Sequence, residues 1–202
     1  MKSFTTITLN QPNIQDFSQA RNQAMAQANT KWILFLDQDE TLTPLLRHEI
    51  DTVLSRLPIG TPDDIYAFKR QDWFLGRKLC FGETSRVRLI RLMPKNSGYW
   101  KGKIHEKFVS DFPVKTLKHP LLHHRRLSVS QFLDRINYYS SLRAEEINRF
   151  SIFELLFYPP VKFVKNYFWH LGFLDGLPGL AMAFMMSFHS LAVRVKQYEK
   201  MA

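Results

Sequence analysis

Asp37, Asp39 and Glu40 crowd three carboxylates into four residues, directly after the apolar run Trp32-Ile33-Leu34-Phe35-Leu36. Carboxylates this close repel one another unless positive charge lies among them. The pattern therefore suits an oxygen-ligated divalent ion, Mg2+ or Mn2+, which can in turn neutralise a phosphate ester. The plainer alternative is that Asp39 and Glu40 decorate a turn and cap the next helix. The chain as a whole favours anionic partners, since 28 Lys and Arg against 18 Asp and Glu give a formal charge of +10. A hydrophobic fraction of 45% excludes disorder as the main state, and the one cysteine, Cys80, excludes an intramolecular disulfide framework and a cysteine zinc cluster.

The elements that must present these acids follow from periodicity. Phe4 to Leu9 is β-rich, and Asp16 or Ser18 can cap a helix whose small face is Ala20, Ala24 and Ala28. Trp32 to Leu36 reads as a strand covered on both faces, so the acids sit at its carboxyl end, where open α/β sheets bind ligands. Thr43 and Pro44 start the next helix, with Leu46, Ile50, Val53, Leu54 and Leu57 inward. Ile65 to Phe68 is a further strand. Arg86 to Met93 alternates basic and apolar residues as a half-exposed strand should, its basic face toward solvent or a ligand. Gln131 to Phe150 is an amphipathic helix. Ile152 to Phe173 carries eight aromatic rings and is expected to break at Pro159-Pro160; Gly176 to Val193 is an uncharged stretch of 18 residues. Three readings fit that stretch: a buried hairpin, an interfacial anchor and a bilayer span. Lysines interleaved with rings favour the anchor on an anionic membrane surface. The expected division is a catalytic domain over 1–126 and a helical region over 127–202.

Two resemblances compete for the acidic segment. Asp37-Gln38-Asp39-Glu40-Thr41 resembles the D-x-D-x-T motif of haloacid-dehalogenase-like phosphatases, with Asp37 as nucleophile and Asp39 as acid/base. Against it, a β-α unit precedes the motif, Glu40 stands for the usual glycine, and the acidic pair Asp63-Asp64 comes before its strand. The second resemblance covers most of the chain. Phe17 to Ala28 (FSQARNQAMAQA) leading into WILFLDQDE resembles the approach to the D-x-D motif of family 2 glycosyltransferases of GT-A fold. In that family's order follow KRQDWFLG from Lys69, the R-L-x-R strand ending at Arg91, Gly102-Lys103-Ile104-His105-Glu106, and Leu122-His123 before a helix. Leu171 to Leu180 is similar to the tail of enzymes related to the lipopolysaccharide core β-1,4-glucosyltransferase.

The resemblance implies a GT-A-type, Rossmann-like mixed sheet with a C-terminal helical extension at the cytoplasmic face of a membrane. It implies a nucleotide-sugar donor, a glycan or lipid-linked acceptor and a divalent metal. Asp39 is then the direct metal ligand, with Asp37 assisting through water or the ribose and His123 as a further ligand or diphosphate contact. Arg21 approaches the diphosphate. Glu106 is the catalytic base, oriented by His105, with Asp72 as the other candidate. Trp73 beside Asp72 stacks on an acceptor sugar or packs in the core. A base facing the leaving group gives single displacement with inversion.

The family's first β-α unit and its acidic second strand have no counterpart before Phe4, a shortfall of about 60 residues at about 30 per step. The expectation is an N-terminally truncated sheet, weak nucleotide-sugar binding, and a partner chain supplying the strands. A third class is a non-catalytic basic module, supported by the cations among aromatics from Lys69 to Lys107. No nucleic-acid-binding signature accompanies them, and nucleic acid is not an expected partner.

Overall fold

The computed structural model describes residues 4–9, 16–57, 64–102, 106–124, 128–147 and 149–201. They form two compact units, Met1–Arg70 with Val87–His124, and Gln71–Arg86 with Arg125–Ala202.

The first unit is a mixed sheet with helices against it. Its elements are β1 (Phe4–Ile7), α1 (Phe17–Gln27), β2 (Trp32–Phe35), β3 (Glu40–Leu42), α2 (Pro44–Arg56) and the first part of β4 (Ile65–Phe74). After β5 (Arg77–Lys78), which belongs to the second unit, come β6 (Arg88–Pro94), β7 (Tyr99–Lys101), β8 (Lys107–Val109), β9 (Val114–Thr116) and β10 (Leu121–His123). The described strands run in the order β1-β2-β6-β4-β10-β3, with β1 parallel to β2 and β6 antiparallel to both β2 and β4.

β2 explains the layering. All four of its residues are buried, and alternation sends Trp32 and Leu34 to one face and Ile33 and Phe35 to the other. The first pair packs with Leu46, Ile50 and Leu54 of α2, the second with Met25 of α1 and Trp100. Thr43 caps α2 by accepting the Leu46 amide, with Pro44 at the first helical position. Asp16 caps α1, but the buried stripe of that helix is Ser18, Arg21 and Met25, not the expected Ala20, Ala24 and Ala28, of which only Ala28 is buried. The small face is half-buried at Ala20 and Ala24 because the helix is rotated to bring Arg21 inward.

The second unit joins a hairpin to three helices: α3 (Val129–Glu146), α4 (Ile152–Val164) and α5 (Gly176–Glu199). Leu75 and Gly76 both take positive φ and turn the chain from β4 into β5. Ser128 and Gln131 close a capping box at the start of α3. The expected break at Pro159-Pro160 does not occur, and α4 runs through both prolines. The two lost amide donors are tolerated because α4 packs along α5, where Pro159 is buried and its carbonyl accepts from Ser187 Oγ at 2.7 Å. At the base of α5, a Cβ on Gly179 would sit 2.0 Å from the Gly172 carbonyl oxygen, so only glycine fits this close approach.

Candidate active site

β2 ends at Phe35, and the acids that follow form a turn held by its own backbone and by Glu40. The Glu40 amide donates to the Asp37 carbonyl at 3.0 Å, and the Asp37 amide donates to Glu40 Oε2 at 3.0 Å. Two strand registers then bring in distant residues. β6 pairs Leu92 with Leu34, so Arg91, next along β6, reaches the end of β2. β10 pairs His123 with Glu40, and the His124 amide donates to the Asp39 carbonyl at 2.7 Å.

The result is a compact charge cluster. Arg21 Nη2 lies 2.8 Å from Asp37 Oδ1 and its Nε 3.2 Å from Glu106 Oε1. Arg91 Nη2 lies 2.5 Å from Asp37 Oδ2 and 2.6 Å from Glu40 Oε1. Both arginines and Glu40 are buried. The Arg21 guanidinium also lies over the rings of Trp100 and Phe35, 4.8 and 5.2 Å from their centroids. Asn22, beside it, holds α1 to β7 by a reciprocal pair with the Trp100 backbone at 2.8 and 2.9 Å.

Electrostatics follow from these contacts. Burial works to raise the Asp37 pKa, but the Arg91 and Arg21 charges outweigh it and hold the carboxyl below its usual 3.8. Burial likewise opposes the Arg91 charge, and Glu40 and Asp37 overcome it, so Arg91 stays protonated. Two guanidiniums against Asp37, Glu40 and Glu106 leave this cluster with one net negative charge before Asp39 is counted.

The expected site residues fall as follows. Arg21, Asp37, Asp39, Glu106 and His123 all lie in the first unit, and Asp39 Oδ2 is 3.3 Å from His123 Nε2. Both Asp37 oxygens are engaged by arginines. His105 lies outside the described residues. Asp72 and Trp73 lie in the second unit, where Asp72 is buried, its carbonyl accepts the Leu79 amide, and Lys78 Nζ sits 5.6 Å from the centroid of the Trp73 ring. Among the described residues, no group of three or more His, Cys, Asp or Glu side chains is arranged to hold a metal ion. The pair Asp39 and His123 still suits a cation that takes its remaining ligands from substrate phosphates and water, as Mg2+ commonly does.

Arg91 is the member to which residue patterns gave no role in the site. The alternation over Arg86 to Met93 turned its basic face toward solvent or a ligand; Arg88 is exposed, but Arg91 is buried, because β6 is an inner strand between β2 and β4. The usable signal was the acid excess itself, since three carboxylates after a buried strand call for matching cations.

A mixed α/β sheet with acids at the carboxyl end of a buried strand is consistent with a GT-A-like fold. The profile of the family described as glycosyl transferase family 2 matches residues 4–105, half of the chain, which therefore belongs to that family. The lipopolysaccharide core biosynthesis glycosyltransferase LpsC of Rhizobium meliloti (strain 1021) is 26% identical over 178 residues, covering 80% of this chain. The chain spans 64% of that relative's length.

Proposed function

We propose that this protein transfers a sugar from a nucleotide-sugar donor to a hydroxyl of a cell-envelope glycan or lipid-linked acceptor, with inversion, at the cytoplasmic membrane surface. The observation that carries the reading is Arg21, which bridges Asp37 of the acidic turn and Glu106 from far along the chain. Family membership and the envelope role in the relative's name support it.

Glu106, held beside Arg21, takes the proton of the acceptor hydroxyl. The acceptor oxygen then bonds to the anomeric carbon as the bond to the diphosphate breaks, and the diphosphate carries away the electron pair. No covalent intermediate forms. Asp39 and His123 would hold a divalent ion, whose chemistry is to neutralise the departing diphosphate. The net negative charge of the arginine cluster supports that need, because Arg21 and Arg91 are already compensated. Asp37 fixes both guanidiniums.

Calorimetry with UDP-glucose, UDP-galactose and UDP-N-acetylglucosamine, each with Mn2+, tests the reading. Binding of one donor, lost on chelating the ion, is the expected result; no binding of any donor in either condition overturns it. Hydrolysis of p-nitrophenyl phosphate abolished by Asp37→Asn would instead establish a phosphatase.

A further inference from the structure

The helical unit is built inside out. At 100° per residue, Phe153, Leu156, Phe157, Val161, Val164 and Phe168 line one side of α4 and the turn after it, and every one of them is exposed. Glu154, Lys162 and Asn166 of the same segment face the protein. Glu154 pairs with Arg149 at 3.1 Å and Arg194 at 3.5 Å, and Lys162 with Glu83 at 2.6 Å. Asn166, buried, accepts the Glu83 amide at 2.6 Å. A water-facing helix does the reverse. α5 repeats the pattern with an exposed row of Leu177, Phe184, Phe188, Leu191 and Val195.

The two helices are antiparallel, as the contacts Glu154–Arg194, Pro159–Ser187 and Phe163–Phe184 require. Phe184 of the α5 row packs on Phe163 of α4, so that row borders the contact between the helices. Neither row contains a hydrogen-bonding side chain, whereas a protein–protein interface of this size carries about one hydrogen bond per 100–200 Å2. Lipid makes no such demand. Trp169, the most exposed ring at the hairpin's end, and exposed Lys165 beside the rows suit the level of anionic headgroups.

By length and composition alone the segment Gly172–Glu199 could cross a bilayer, an 18-residue stretch within it having a mean hydropathy of 1.4. Its neighbours argue against crossing. At one end Asp175 accepts the Cys80 and Phe81 amides at 3.0 and 2.9 Å. Along its length runs α3, from Phe132 packed near Met182 to Glu145 paired with Lys200 at 3.7 Å. A crossing α5 would drag α3, with Asp134, Arg135 and Arg143, through the hydrocarbon.

We propose that α4 and α5 form a monotopic hairpin whose exposed apolar rows insert into one leaflet of an anionic bilayer, both ends of α5 remaining on the same side. This deepens the membrane part of the function proposed above and is tested without any sugar nucleotide, so its failure and that of the transfer reaction are separable.

The probe is the full chain with vesicles of phosphatidylcholine containing about a quarter phosphatidylglycerol. Wild type floats with the vesicles, and Phe157→Glu with Val161→Glu weakens partition about tenfold or more, with circular dichroism unchanged. In wild type, brominated lipid quenches the emission of Trp169, the one highly exposed tryptophan. On sealed vesicles an impermeant maleimide labels Cys80 in wild type and Met201→Cys in a Cys80→Ser background alike. Protection of one end until detergent is added overturns the proposal in favour of a span. Undiminished flotation of the glutamate variant, or no quenching, overturns it too, as does a dimer in sedimentation equilibrium that ignores vesicles.

Discussion

The two units solve opposite problems with the same residue types. Around Asp37 the charges are drawn inward and matched, Arg91 against Glu40 and Asp37 and Arg21 against Asp37 and Glu106, beneath a sheet whose apolar residues are buried. In the unit of α4 and α5, Glu154, Lys162 and Arg194 are also paired against protein, but rows of apolar residues on both helices face outward. In the first, buried charge sits inside an ordinary core. In the second, the outward apolar surface is one that water penalises and lipid does not.

The contrast can be broken by substitutions that touch one unit alone. Glu106→Gln is expected to lower sugar transfer by about 10²–10⁴-fold, the usual contribution of a general base, with vesicle flotation unchanged; steady-state kinetics beside flotation checks both. If Glu106→Gln lost membrane binding as well, the separation of roles would fail.

Glu40→Gln leaves the buried Arg91 short of a partner and should cost about 3–5 kcal/mol by urea unfolding. Arg91→Met combined with Glu40→Leu should recover most of that stability while still failing to bind donor, since apolar residues can fill the place but cannot hold Asp37. In the second unit, Asp175→Ala removes the acceptor of the Cys80 and Phe81 amides and should cost about 1–3 kcal/mol. Hydrogen exchange should accelerate at those two amides and not in β2.

The smallest effect concerns acid. Arginine pairing depresses the Asp37 pKa below 3.8, so its stabilisation is fully present above that value and is lost as pH falls through the depressed one. Because the side chain is 44% exposed, solvent screens the contribution. The stability gap between wild type and Asp37→Asn should therefore be constant near neutrality and shrink below about pH 4. A carbon chemical shift showing Asp37 titrating above the usual range would contradict the pairing.

Much of the first unit was legible in the chain itself. The buried strand Trp32–Phe35, the Thr43-Pro44 helix start and the grouping of Arg21, Asp37, Asp39, Glu106 and His123 follow from local pattern and motif order. The inward rotation of α1 did not, because an alanine face and an arginine stripe are equally helical, and the acids across the sheet decide which faces in. The unbroken α4 did not either, because proline's local cost is fixed while the packing that offsets it is remote.

Sequence by itself determined the family, the acidic turn at a strand's end and the apolar wealth of the C-terminal helices, since each depends on neighbours along the chain. Tertiary structure alone decided that Arg91 is buried against Asp37 and Glu40, and that the rings of α4 point outward while its charges point inward. The reason is common to both: whether a side chain meets solvent, lipid or an opposing charge is set by the element packed against it, and hydrophobic period reports a face without saying what covers it.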